Sequence, residues 1–134
     1  IVVDYNSFKY NDFKRFDSVI ELCSKFCLRN QKVVKWIIET GALSKEEIKN
    51  ISQRIESIIT SQYTALITSS FIKTSTGYYS EYGARLNDIK IIKNSIKKMK
   101  IKASGGIKTK DFALKLIEQG CDRIGTSSGV DMIK

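Results

Sequence analysis

Apolar residues recur along the chain in two alternating rhythms. Short runs in which nearly every residue is apolar are separated by longer stretches with apolar residues three and four apart. The first kind reads as strands buried on both faces, the second as helices that cover them. Ile1–Tyr5 reads as a strand. Asn11 or Asp12 then caps a helix whose stripe is Phe13, Phe16, Val19, Ile20, Cys23, Phe26 and Cys27. Val33–Ile38 is a second strand, apolar on both faces apart from Lys35. Ser44-Lys45-Glu46-Glu47 is a capping box, and it opens a helix with Ile48, Ile51, Ile55, Ile58 and Ile59 on one side.

The run from Ala65 to Lys73 predicts a third strand, followed by a loop rich in Gly, Ser and Tyr that reaches Gly83. Asn87 caps a helix carrying Ile89, Ile92, Ile96 and Met99, and Met99–Ala103 is a fourth strand. Thr109 caps a helix through Ala113, Leu116 and Ile117 that Gly120 terminates. Asp122–Thr126 is a short fifth strand, and Ser127-Ser128-Gly129 leads into a terminal helix. Five strands each followed by a helix imply a parallel sheet with right-handed crossovers. The sheet closes either as an open doubly wound sheet or as part of a (β/α)₈ barrel. A whole barrel takes about 250 residues and eight units. With 134 residues, the barrel reading requires further N-terminal units. Residues 1–134 read as a single domain.

Composition alters this picture in a few places. There is no His, so proton transfer falls to Lys, Asp, Glu, Tyr or water. Cys23 and Cys27 are i,i+4 on a helix, but Cys121 is far away and no His completes a zinc set. The cysteines read as buried thiols in a reducing cytoplasm, with no metal. No apolar run approaches the ~20 residues that span a bilayer, and no signal peptide is visible. The net charge of +9 suits a polyanion, either a nucleic acid or a small phosphorylated substrate. The lysines are spread over most of the chain, and the densest run, Lys90 to Lys102, is interleaved with apolar residues. That spread favours solvated helix faces over a nucleic-acid patch.

Chemistry collects where the strands end. Lys73 stands at the tip of an apolar strand, where burial favours the neutral amine and hence Schiff-base chemistry with carbonyls. A lysine that snorkels to solvent fits the same placement. Lys102 stands at the end of the fourth strand in the same way. Adjacent parallel strands lie about 4.8 Å apart, so each ammonium disfavours the other. Seven of the eight glycines lie at or beyond residue 77. Gly77, Gly105, Gly106, Gly125 and Gly129 follow the ends of the last three strands, the side on which parallel α/β sheets bind ligands. Glycine there lets backbone N–H groups approach a phosphate, and a helix N-terminus adds its dipole.

At these residues the chain resembles deoxyribose-phosphate aldolase. The matching stretches are Lys35-Trp36-Ile37-Ile38-Glu39-Thr40, Phe71-Ile72-Lys73-Thr74-Ser75-Thr76-Gly77, Gly83-Ala84, Lys102-Ala103-Ser104-Gly105-Gly106, and Arg123-Ile124-Gly125-Thr126-Ser127-Ser128-Gly129. The resemblance implies the C-terminal five units of a (β/α)₈ TIM barrel, with the three N-terminal units absent. It also implies a cytoplasmic class I lyase without cofactor or metal. That family reversibly cleaves 2-deoxy-D-ribose 5-phosphate to D-glyceraldehyde 3-phosphate and acetaldehyde. On the resemblance, Lys73 matches the lysine that forms the imine. Lys102 matches the second lysine, whose charge disfavours protonation of the first. Gly77, Gly105, Gly106, Ser127 and Ser128 match positions that hold the phosphate, with Gly125 in the same loop. Lys35 matches a barrel lysine near the site.

The departures are specific. The family's catalytic aspartate aligns one residue upstream of Ile1. Asp4 stands where the family has asparagine; by pleat parity it faces the same side, about 13 Å further along the strand, and it is not assigned the aspartate's role. Tyr78, Tyr79 and Arg85 also replace other residue types. The expectation is therefore a truncated aldolase, impaired alone, that self-associates or needs an N-terminal barrel segment. The alternatives are a non-catalytic phosphate-binding remnant and a basic nucleic-acid-binding module.

Overall fold

A computed structural model describes residues 1–79 and 83–134 of the chain. Its centre is a sheet of four parallel strands: β1 (Val34–Ile37), β2 (Ser70–Lys73), β3 (Lys100–Ser104) and β4 (Arg123–Gly125). They stand side by side in chain order, as successive crossovers of one hand require. Before β1 come the helices α1 (Tyr5–Lys9) and α2 (Phe13–Arg29). Between and after the strands come α3 (Lys45–Tyr63), α4 (Leu86–Ser95), α5 (Lys110–Glu118) and the short α6 (Gly129–Ile133).

The pleat gives the sheet two unlike faces. Val34, Trp36, Ile72, Ile101 and Ala103 are buried together with Ile20, Ile51, Ile55, Ile59, Ile89, Ile92 and Leu116 from the helices, and this is the core. The register pairs Lys35 with Phe71, Ile37 with Lys73, Phe71 with Lys100, and Lys102 with both Lys73 and Arg123. Those residues therefore share the opposite face, since paired residues of a parallel sheet project to the same side. Phe71 is covered there by cations, with the Arg123 guanidinium 4.7 Å and the Lys100 amine 5.9 Å from its ring centre.

Local signals in the sequence set most helix ends. The capping box is formed: Ser44 Oγ accepts from the Glu47 N–H, and Glu47 accepts from the Ser44 N–H. Asp12 and Thr109 accept from the amides three residues on. Gly120, at φ 100°, closes α5 with its N–H donating to Ile117 O and the Cys121 N–H to Leu116 O, a Schellman pair.

Five expectations change. The strand foreseen at Ile1–Tyr5 is a single bridge, Val2 to Ile37, so the sheet has four strands and one bridge instead of five strands. Asp4 ends it, because its carboxylate caps α1 through the Ser7 N–H (3.0 Å) and Ser7 Oγ (2.8 Å) and pairs with Arg15 at 3.0 Å. The pleat argument for Asp4 lapses, since it leaves the strand before the pleat continues. Most of the strand foreseen at 65–73 is a 3₁₀ segment, Thr64–Ser69, wound on from α3, with only Ile67 buried. Leu86 begins α4 with Arg85 at the capping position in extended backbone, so Asn87 lies inside the first turn. In α2 the buried stripe passes through Ser24 and Leu28 and leaves Phe26 73% exposed. The loop foreseen after Lys73 includes residues 80–82, which lie outside the described residues.

Candidate active site

Residues 73–76 and 102–106 carry two adjacent strands, β2 and β3, through their C-terminal ends, and their hydroxyls tie those ends together. The Thr74 N–H donates to Lys102 O at 3.1 Å. Thr74 Oγ1 donates to Ser104 O at 3.1 Å and accepts the Ser104 N–H at 3.0 Å. Ser75 Oγ donates to Ser104 O at 2.8 Å, while Ser104 Oγ donates back to Ser75 O at 2.7 Å. All three residues are buried. On the other side, the Ile38 and Thr40 N–H groups donate to Lys73 O and Thr74 O. Lys73 and Lys102 stand directly opposite one another on one face of this braced edge. Lys35, paired with Phe71, stands on the same face two residues nearer the N-terminal end of the sheet.

Burial holds the Lys102 amine below its ordinary pKa, and the charges of Lys73, Lys35 and Arg123 push in the same direction. The end of its side chain lies over Gly125. A Cβ at that glycine would stand 2.7 Å from Lys102 Cε and 3.2 Å from Nζ, so the missing side chain gives the lysine its place. Gly125 thus seats Lys102 as well as lining the cleft beside it.

That cleft, about 130 Å³, is lined by Gly105, Gly106, Ile107, Lys108, Gly125, Thr126 and Ser127. Gly105 has φ 93° and packs so closely on Ser75 and Gly83 that a Cβ would meet Ser75 Oγ at 2.6 Å and Gly83 Cα at 2.9 Å. The Ala84 N–H donates to Gly105 O, which fixes the approach. Thr126 Oγ1 donates to Ile107 O and accepts the Ser128 N–H, and so links the two loops. Of the residues expected to hold a phosphate, Gly105, Gly106, Gly125 and Ser127 come together here. Gly77, at φ 90°, and Ser128, at the head of α6, do not line the cleft. Lys108 and Thr126 were missed from sequence; a cation two residues after a Gly-Gly pair was the available signal for the first. Larger hollows lie elsewhere, one of about 670 Å³ beside Glu56 and Lys97, away from both strand-end lysines.

Among the described residues no group of three His, Cys, Asp or Glu side chains is placed to hold a metal ion, and no helix is long and apolar enough to cross a membrane. Cys121 is buried, and Cys23 and Cys27 are partly so.

No protein-family model matches the chain. All of the chain aligns at 39% identity with the deoxyribose-phosphate aldolase of Acholeplasma laidlawii, covering 55% of that protein. The chain corresponds in sequence to one portion of the deoxyribose-phosphate aldolases. The solved structure of QR15, an aldolase, superposes with a TM-score of 0.81 at 34% identity, over 98% of this chain and 55% of that one. The tetrameric deoxyribose phosphate aldolase from Aeropyrum pernix superposes with a TM-score of 0.72 at 25% identity, over 88% of this chain and 47% of that one. The chain thus spans about half the length of these aldolases. In aldolase terms, the described residues form the parallel, helix-covered α/β portion that carries both lysine motifs.

Proposed function

We propose that the chain carries the Schiff-base end of a deoxyribose-phosphate aldolase barrel, with Lys73 as the imine-forming amine. The neutral Lys73 amine adds to the aldehyde carbon of open-chain 2-deoxy-D-ribose 5-phosphate, and loss of water leaves an iminium. The C3 hydroxyl gives up its proton and the bond between C2 and C3 breaks. Its electron pair passes into the enamine, and D-glyceraldehyde 3-phosphate departs. Protonation of C2 and addition of one water then release acetaldehyde and restore the amine.

Lys102, its basicity depressed by burial and by neighbouring cations, exchanges a proton nearer neutral pH than an ordinary lysine, which suits it to the proton transfers of this sequence. The cleft at Gly105, Gly106, Gly125 and Ser127 anchors the phosphate, with Lys108 beside it, and the resemblance to the family assigns Gly77 and Ser128 to the same phosphate. Lys35 adds positive potential below the pair. The face that carries Lys73 is partly open, and further barrel strands or a second copy of the chain close it. In that setting the chain alone turns over slowly and self-associates, which size-exclusion chromatography reads directly.

The pairing of Lys73 with Lys102 on one face is the observation that carries this reading. The test is reduction with borohydride in the presence of acetaldehyde, followed by peptide mapping. The expected outcome is one ethyl group on Lys73, absent in Lys73→Met. An ethyl group on Lys102 instead would exchange the two roles, a second reading favoured by the lowered basicity of Lys102. No adduct at either lysine would leave a phosphate-binding protein without aldolase chemistry.

A further inference from the structure

The proposed reaction makes no use of Glu39, which lies two residues beyond the end of β1 with its backbone at φ 56°, ψ 67°. This left-handed region is sparsely occupied by residues other than glycine, and strain of that kind persists where surrounding structure enforces it. The residue is 2% exposed. Buried carboxylates are retained where they are paired or hydrogen-bonded. One oxygen, Oε2, accepts the Thr76 N–H at 3.0 Å and the Thr76 hydroxyl at 2.6 Å. The other, Oε1, is buried without a hydrogen-bond partner among the described residues. Thr76 Oγ1 in turn accepts the Tyr78 N–H at 3.1 Å, bracketing Gly77 at φ 90°.

Joining β1 to β2 does not require this carboxylate, because the Ile38 and Thr40 amides already bond Lys73 O and Thr74 O. Among the described residues, the carboxylate is what holds Thr76, in the turn three residues beyond Lys73. We infer that Glu39 is a positioning residue: its carboxylate sets the Thr76–Gly77 turn, and through it the Gly77 backbone that meets the substrate's phosphate. This rests on the reading of Gly77 as a phosphate contact given above. Glu39 itself touches no substrate.

The inference is tested on the full chain with two independent readouts. Inorganic phosphate is titrated by calorimetry, and acetaldehyde is trapped on Lys73 with cyanoborohydride in phosphate-free buffer. Glu39→Ala weakens phosphate binding about tenfold or more, the effect of losing hydrogen bonds to a charged acceptor, while the trapping rate stays within about twofold of the parent. Glu39→Gln restores phosphate binding, because an amide oxygen still accepts both Thr76 donors. Thr76→Val keeps the N–H bond to Glu39 but removes the hydroxyl, and with it the bond to the carboxylate and the acceptor of the Tyr78 N–H; it weakens phosphate binding in the same direction and decides the matter should Glu39→Ala not fold.

Three results overturn the inference. One is unchanged phosphate affinity in the folded variants. Another is trapping that falls in parallel with phosphate binding, which marks a purely structural role. The third is a folded Glu39→Gln that fails to restore binding, which makes the carboxylate itself the contact. If the parent chain binds no phosphate and traps no acetaldehyde, the underlying aldolase reading fails instead.

Discussion

Gly125→Ala separates the placement of Lys102 from the stability of the fold. The new Cβ stands 2.7 Å from Lys102 Cε. Carbon atoms rest at about 3.5–4.0 Å, so the end of the lysine must retreat by about 1 Å. The obstructed atoms are the far end of a flexible side chain, and a shifted rotamer costs about 0.5–1.5 kcal/mol. Gly125 has no left-handed backbone, so alanine also stiffens the unfolded chain, a gain of about 0.4–1 kcal/mol. The two nearly cancel, and Tm moves by no more than about 5 °C. The chemistry does not cancel. A catalytic group misplaced by about 1 Å loses up to a hundredfold in rate. Single-turnover trapping of acetaldehyde by cyanoborohydride, read by intact mass, should therefore slow by about ten- to a hundredfold. An unchanged trapping rate refutes the assignment of Lys102 to the reacting pair. A collapse of Tm alongside the rate refutes the claim that Lys102 can give way.

Three further outcomes follow from the same geometry. Gly83→Ala directs its Cβ into the backbone carbonyl of Gly105, which cannot yield, so the variant loses about 2 kcal/mol or more in urea unfolding; a loss below 0.5 kcal/mol, ~the scatter of surface changes, contradicts the packing. Lys102 has a folded pKa below the ordinary 10.5, so the unfolded chain binds more protons between the two values and stability rises with pH through that window. Below the window the penalty for burying the charged amine is fully present, and Lys102→Met removes it: the variant is the more stable at neutral pH and the difference shrinks toward pH 10.5, as urea midpoints across pH would show. Glu56 accepts the amides of Lys97, Lys98 and Met99 at 2.7–3.0 Å, so Glu56→Gln, which sets an amide donor among donors, loses about 1.5–3 kcal/mol in urea unfolding; an unchanged midpoint would show that water replaces the carboxylate freely.

The order of elements was legible because each boundary had its own local chemistry, such as the Ser44–Glu47 box, the Thr109 cap and the Gly120 stop. The lysine pair was legible because equal positions at the ends of adjacent parallel strands share a face. The misses have physical causes. Ala65 to Ser69 is apolar enough for a strand, yet helix α3 winds on into it, and Thr64 bonds back to Thr60 O. Asp4 lies in an apolar context that reads as strand, but a carboxylate three residues before Ser7 prefers to cap. Phe26 is outward because the buried stripe of α2 passes through Ser24, whose small side chain gave no apolar signal. The Glu39–Thr76 contact joins residues 37 apart in sequence, and no local pattern reports a left-handed glutamate.

The reciprocal bonds between Ser75 and Ser104, with Thr74 bonded twice to Ser104, have a mechanical consequence. They weld the two loops into one block at the level of the amines. Breathing of the sheet's open flank moves that block as a unit, so the spacing between the two amino groups survives distortions that would scatter side chains carried on independent loops.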